Sequence, residues 1–542
     1  LFGDPMMRAE TLPLAQLPHI TQLYSHYLTN FSQVLPYYAC PPLSRDWMAT
    51  AVKDYPPARR QSVAALLEAQ NKEWGASANS LANIARFRAG ASAVVTGQQV
   101  GLFGGPLYAI LKAITAIKLA EEATAAGTDT VPIFWLATED HDLAEVAFAN
   151  IPGPTHLQKV TILPNPPENA PISAIRLDDE ITVAAKTAAE LLGDSAATEN
   201  DAAKWIREFY QPGITLGDAF ARLFARLFAD YGLILLDPSH AELHRIAQPM
   251  YAAAAQRSAE LNEGLLERNK KLESAGYHAQ VKVTASSTLL FALEGDARTP
   301  IQRANGHFSI AKKKLTADEL QARIAAAPED FSANALFRPV VQDYLLPTIA
   351  YVGGPAEVAY FAQSAVVYEK LLGRITPILP RISATLVEPR IARKLSQHKL
   401  IVPMAFHGAE VLARTIATHA LPAELTAKFA SAHETLDSTI ASLDAALGKL
   451  DPTLQEAAKR SADKMRYQLQ RLEQRAALAE QRRQQDIARH AHEIFSALYP
   501  HKNLQEREVA GIYFVARYGL QLIADLKAEA LASTADHQVF YL

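Results

Sequence analysis

Four consecutive side chains, Glu139-Asp140-His141-Asp142, set three carboxylates around one imidazole just beyond the apolar run VPIFWLA (Val131 to Ala137). Burying that much negative charge without a cationic partner is costly. Three guests fit: a divalent cation, a substrate ammonium, or a proton in transit through His141. Neighbouring carboxylates favour the protonated imidazole, which makes His141 the candidate base for an attacking amine. Glu139, Asp140 and Asp142 are then the groups that hold the amine or cation. The alternative is a surface loop that starts the next helix, with Asp142 as its N-cap.

A second constellation lies upstream in VVTGQQVGLFGGPLYAILKAITAIKLA (Val94 to Ala120). Gly104 and Gly105 would let a ligand approach the backbone closely. The helix beyond them, with Pro106 at its first position, offers unpaired N–H donors and a partial positive charge suited to a carboxylate or phosphate. Gln98 and Gln99 add neutral donors and acceptors, and Tyr108 and Lys112 share one helix face. The same glycines could instead serve only tight helix–sheet packing. Neither a dinucleotide-binding GxGxxG nor a phosphate loop ending in GK[ST] is present.

These groups need elements to hold them. ASAVVT, VPIFWLA, YGLILLDP and TIAYVGGP read as buried parallel strands, apolar on both faces. ITPILPRIS is a fifth, placed at a sheet edge by its two prolines. Strand, helix and strand within about forty-five residues (from Ala91) make a βαβ unit. Ligands of such sheets bind beyond the carboxyl ends of the strands, which selects Gly97-Gln98-Gln99, the acidic cluster, Asp237 and Gly353-Gly354. The second GGP, Gly353-Gly354-Pro355, nearly repeats the first.

The fold expected is α/β: a Rossmann-like, doubly wound core with two insertions and a C-terminal antiparallel coiled coil. The divisions expected are core residues 6–151, a helical insertion at 152–217, core at 218–274, a small β-rich insertion at 275–331 with QVKVT among its strands, and core at 332–421. Residues 422–500 carry two heptad seams broken at Asp451-Pro452, the mark of an antiparallel hairpin, with RRQQD around Arg482 a solvated face. Residues 501–542 are apolar enough to pack back on the core.

Composition bounds the rest. The 542 residues are 49% hydrophobic and 20% charged, with a net charge of −4 that gives no reason to expect a nucleic-acid or membrane partner. No apolar run reaches the ~18 residues of a membrane span. The leading LFGDP, ahead of Met6 and Met7, reads as a foreign extension, and no signal segment is evident, so the chain is expected to be cytoplasmic. One cysteine, Cys40, excludes an internal disulfide framework. It is either a packed thiol or a nucleophile, although YYACPPL offers no base.

The blocks VVTGQQVGLFGGPLYAILKAITAIKLA, PIFWLATEDHDLAEV, LFRPVVQDYLLPTIAYVGGPAEVAYFAQ, PRISATLVEP and LYPHKNLQER resemble the signature stretches of the bacillithiol synthase family, in the same order and nearly end to end. That resemblance implies a cysteine ligase joining cysteine to glucosaminyl-malate, connecting-peptide insertions in the core, and a coiled coil that forms a homodimer. APISAIRL (Ala170 to Leu177) departs from the pattern, lacking the Val-Gly expected there. Gln342, Glu357 and Tyr360 fall within the matching blocks and join Gly353, Gly354 and Arg381 as substrate-binding candidates. The substrate's malate carboxylates would suit the GGP helix ends, Lys112 and Arg381; the ammonium groups would suit the acidic cluster. Cysteine's carboxylate needs activation, for which ATP or ADP and a divalent cation are candidate cofactors. No clear HIGH-like or KMSKS-like element is present, and Lys312-Lys313-Lys314 reads as a solvated strand end. A nucleotide-dependent carboxylate–amine ligase for another substrate, and a non-catalytic scaffold built around the coiled coil, stay open.

Overall fold

Five apolar runs form one parallel sheet, in the order Ile378–Pro380, Thr348–Gly353, Ser92–Gln98, Thr130–Leu136, Ile234–Leu236. The computed structural model describes residues 7–49, 52, 54–153, 156–164, 166–193, 200–294, 297–451, 453–483 and 485–542. The leading LFGDP, Pro452 and the side chains around Arg482 lie outside the described residues. The chain starts the sheet in the middle, builds outward on one side to Ile234–Leu236, then returns to build the other side. The direction of winding therefore reverses between Ser92–Gln98 and Thr348–Gly353, where such sheets open a crevice. The proline-bearing strand Ile378–Pro380 takes the edge, as its missing N–H requires.

The helix Leu107–Ala125 follows the first strand and is buried along almost its whole length. Pro106 precedes it with ψ 156° and so is its N-cap, not its first helical residue. Pro355, in contrast, opens the helix Pro355–Leu372. Cys40 is half-buried against a cluster that includes Trp47, Met48 and Val94, and burial pushes its thiol up to about 11, which leaves it an inert packing group.

The β-rich segment is a five-stranded antiparallel sheet, ordered Lys313–Leu315, His307–Ile310, Ala297–Ala304, Ser287–Glu294, Phe331–Ala333. The sequence expectation of a strand in QVKVT fails for a physical reason. The Gln363 side-chain amide takes both backbone groups of Val281 at 2.9 Å, so no neighbouring strand can. Between the core strands, a hairpin of Phe148–Pro152 with Leu157–Thr161 precedes the helices Glu180–Leu191 and Asp201–Phe209.

The chain divides into two compact units, Leu1–Thr385 with Glu506–Phe540, and Leu386–Gln505 with Tyr541–Leu542. In the second, the long helices Ala423–Leu450 and Thr453–Arg483 run antiparallel, since Asp437 pairs with Arg466 while His433 lies nearest Glu473. Asp451 closes the turn by accepting from the Thr453 N–H at 2.8 Å. Among the described residues no helix is long and apolar enough to cross a membrane.

Candidate active site

A cavity of about 720 Å³ opens at the carboxyl edge of the parallel sheet, within the range usual for small-molecule sites. Its floor is Gly97, Trp135 and Tyr351; a Cβ at Gly97 would stand 2.9 Å from the Trp135 carbonyl oxygen, so only glycine fits. Its outer wall comes from the helix Ser258–Ser274 and the antiparallel sheet.

One pole of the cavity is cationic. Lys112, on the buried helix, donates to Gly97 O at 2.7 Å, Gln98 Oε1 at 2.9 Å and Glu357 Oε2 at 2.5 Å. Glu357 also accepts from the Tyr351 hydroxyl at 2.6 Å and the Gly354 N–H at 2.7 Å. Burial would raise the Glu357 carboxyl, but Lys112 and these donors outweigh it and hold it below the usual range. Arg381 is bound to Glu506 at 2.6 Å and to Ile382 O at 2.8 Å, under the Tyr108 ring. Lys112 and Arg381, expected to meet substrate carboxylates, are therefore spent on the protein's own acceptors. Arg338 and Arg507 also line the cavity, with donors to spare. Arg338 is held by the hydroxyls of Tyr360 (2.9 Å) and Tyr351 (3.4 Å) and by Gln342 Oε1 (3.3 Å), with no carboxylate in ion-pair range among the described residues. Arg507 is exposed beside Tyr108.

The other pole is acidic. Glu139, Asp140, His141 and Glu145 line it, with Arg298. Arg298 lies on the Phe291 ring and is anchored by Ser332 Oγ at 3.0 Å and Ala333 O at 2.7 Å. Its Nη1 also stands 3.1 Å from His141 Nδ1. A guanidinium can only donate, so His141 Nδ1 accepts and Nε2 carries the ring proton. The lone pair expected to serve as base is thus already engaged. Glu139 faces a partner the sequence did not offer, His244 on the helix Ala241–Gln256, whose Nε2 is 3.3 Å from Glu139 Oε1. Burial pushes the Glu139 carboxyl up, against the pull of His244 and Arg298.

The paired glutamines span the two poles. Gln98 lies with Lys112 and donates to the Tyr108 hydroxyl at 3.0 Å, whereas Gln99 donates to Asp140 Oδ2 at 2.9 Å. Successive side chains at a strand end point to opposite sides, which is why two adjacent amides serve two places.

Six expected residues do not line the cavity: Gly104, Gly105, Asp142, Asp237, Gln342 and Gly353. Asp237 is half-buried outside it, accepting from the Ser239 N–H at 2.9 Å. The first GGP is no anion cradle. Gly104 and Gly105 are needed for their left-handed backbone, φ 90° and 70°, and the helix start beyond them is covered by the Val509–Gly511 segment. Val509 O takes the Leu107 N–H at 2.9 Å, and Gly105 O takes the Gly511 N–H at 3.0 Å. Asp142 is exposed and stands before the short helix Leu143–Val146 without bonding its side chain to it. Gln342 is fully buried, steadying Arg338 and Asp343 from behind. Gly353 packs against Ile378, and Gly354 alone of that pair reaches the cavity. Among the described residues no three His, Cys, Asp or Glu side chains form a metal-binding group. Tyr108, Tyr360, Gln98, Gln99 and Glu357 all reach the cavity.

Residues 7–382 match the family described as bacillithiol biosynthesis BshC, N-terminal Rossmann-like domain, and residues 384–542 its C-terminal coiled-coil domain. A protein of Koribacter versatilis named "Putative cysteine ligase BshC" is 50% identical over 98% of this chain and 99% of its own length. Proteins of the same name from Solibacter usitatus and Salinibacter ruber are 36% and 33% identical, each over at least 97% of both chains.

Proposed function

Because the chain belongs to the bacillithiol biosynthesis BshC family and is a ligase enzyme, we propose that it forms the amide between the carboxyl group of cysteine and the amino group of glucosaminyl-malate. The observation that carries this reading is the division of one cavity into a cationic and an acidic pole. Glucosaminyl-malate carries both kinds of charge, two carboxylates on the malate joined to C1 of the sugar and an ammonium on the neighbouring C2, so the two poles would meet adjacent groups of one substrate. Its malate end lies toward Arg338 and Arg507, whose charges are not matched by a carboxylate within ion-pair range among the described residues as those of Lys112 and Arg381 are. Planar guanidinium groups suit carboxylates because both donors of a fork engage at once. Its amino end lies toward Glu139 and Asp140, with Gln99 fixing the Asp140 carboxylate. Holding glucosaminyl-malate by both charged groups between fixed poles orients its amine for an amide-forming step. His141 Nε2, left as a donor by Arg298, is suited to an oxygen that gains negative charge as the amine attacks.

The protein acts as a cytoplasmic homodimer in this reading. Leu443 and Leu472 of the coiled-coil unit are 52% and 56% exposed, and Leu450 and Met465 are exposed as well, more apolar surface than a self-sufficient hairpin presents.

The test is mass-spectrometric detection of the cysteinyl amide from purified protein, cysteine and glucosaminyl-malate, with and without ATP. Condensing a free carboxylate with an amine is uphill in water, so the ATP arm reports how the carboxylate is activated. Product in either arm supports the proposal; absence of product in both arms, with a folded protein, rejects it.

A further inference from the structure

The acidic pole contains a contact that no role so far uses. Glu139 and His244 are 15% and 5% exposed at their side chains, one at the end of the Thr130–Leu136 strand, the other on the helix that follows Ile234–Leu236. His244 Nδ1 is 2.9 Å from the Phe331 carbonyl oxygen, which can only accept, so Nδ1 carries a proton. That leaves Nε2 of the neutral ring as an acceptor. It faces Glu139 Oε1 at 3.3 Å, and this oxygen is buried with no hydrogen-bond donor among the described residues. Two acceptors pressed together out of water repel one another, so the empty pair is a strong taker of a proton. The arrangement is a proton trap, one member of which borders the cavity.

Resting on the amide-forming reading above, we infer that Glu139 takes the proton from the substrate ammonium, and that His244 is the positioning residue which shares and retains it. In the step, an N–H bond of the ammonium breaks and its electron pair stays on nitrogen as the nucleophile. The proton passes to Glu139 and comes to lie between Oε1 and Nε2, then leaves to water after the amide has formed. The groups facing the pair are Arg298 and Arg338, which favour the carboxylate, Asp237, which disfavours it, and the Tyr251 hydroxyl, 3.3 Å from His244 Nδ1. His141 is excluded from this role because Arg298 occupies its Nδ1.

Two measurements on the full chain test the inference separately from the reaction. In the first, nitrogen NMR of histidine-labelled protein from neutral pH downward reads the state of His244 Nε2. The expected result is a bare nitrogen there in the free wild type, and a shared-proton resonance that sets in at higher pH in the wild type than in Glu139→Gln as the pH is lowered. A free wild type already sharing the proton at neutral pH, or an Nε2 that takes up its proton at the same pH in both proteins, overturns the pair whatever the reaction proves to be. In the second, Glu139→Gln lowers kcat by about 10²–10⁴-fold and removes the acidic limb of the pH–rate profile. His244→Phe displaces that limb and lowers kcat by about tenfold or more, with KM within about twofold, because His244 does not line the cavity. A His244→Phe profile that superimposes on the wild type, or a loss confined to KM, overturns the inference. Failure of the wild type to give the amide would overturn the reaction assigned to the cavity and leave the NMR result to decide the pair.

Discussion

Replacing Lys112 by Met keeps the volume of the side chain and removes its charge, which isolates what the buried ammonium does. All three of its donors are used, on Gly97 O, Gln98 Oε1 and Glu357 Oε2. The substitution leaves the Glu357 carboxylate with the Tyr351 hydroxyl and the Gly354 N–H, but without a cation, and leaves the Gly97 carbonyl without that donor. Removing one partner of a buried ion pair costs about 3–5 kcal/mol, whereas an exposed pair contributes ~0–1 kcal/mol. Lys112 is 2% exposed, so the larger figure applies. Because the chain has two units, a single melting temperature is a poor measure. Hydrogen exchange of amides in the Ser92–Gln98 strand reads the affected unit directly, and protection there should fall by about two to three orders of magnitude. Adding Glu357→Gln removes the stranded charge, so the double variant should be less destabilised than the two single effects summed, by about 1–3 kcal/mol. A Lys112→Met cost under about 1 kcal/mol would refute the reasoning, since that is the contribution of a solvated pair.

Two further outcomes follow. Burial holds the imidazole of His537, which bonds to Ser383 and Thr385 at 2.8 Å, down to about 4 against an unfolded value of ~6.5, so stability is full above that value and is lost as pH falls toward 4. Hydrogen exchange of the Ser92–Gln98 amides, corrected for the intrinsic rate at each pH, should show a loss of about 2 kcal/mol between pH 7 and 5 that His537→Gln abolishes, and an equal loss in that variant would contradict the assignment. Light scattering should give twice the chain mass for the wild type and a single chain mass for Leu443→Glu/Leu472→Glu; a wild-type monomer at micromolar concentration removes the proposed dimer.

The parallel sheet was legible because its strands are buried on both faces, so runs such as VPIFWLA carry their own signature. Gln98 and Gln99 were legible as a pair at a strand end, although not their division between two poles. The first GGP misled because its glycines look free in sequence, whereas the covering segment arrives from Val509–Gly511, some four hundred residues later. Arg298, Arg338 and His244 were missed for the same reason. Each stands in unremarkable surroundings, and each acquires meaning only from the residue it meets across the fold: His141, Tyr360 and Glu139 respectively. A faint signal existed for His244, since it lies in the first turn of the helix after a core strand whose carboxyl end was already suspect. Arg338 stood in plain view within LFRPVV, hidden by attention to Lys112 and Arg381, whose charges the fold consumes internally.

The most direct test of the bipolar cavity is calorimetric titration of glucosaminyl-malate into the wild type and into Arg338→Gln. Loss of one charge-assisted contact to a carboxylate is expected to raise Kd by about tenfold or more. That weakening is expected with glucosaminyl-malate and not with glucosamine, which lacks the carboxylates. Equal affinity of both proteins for glucosaminyl-malate would contradict it.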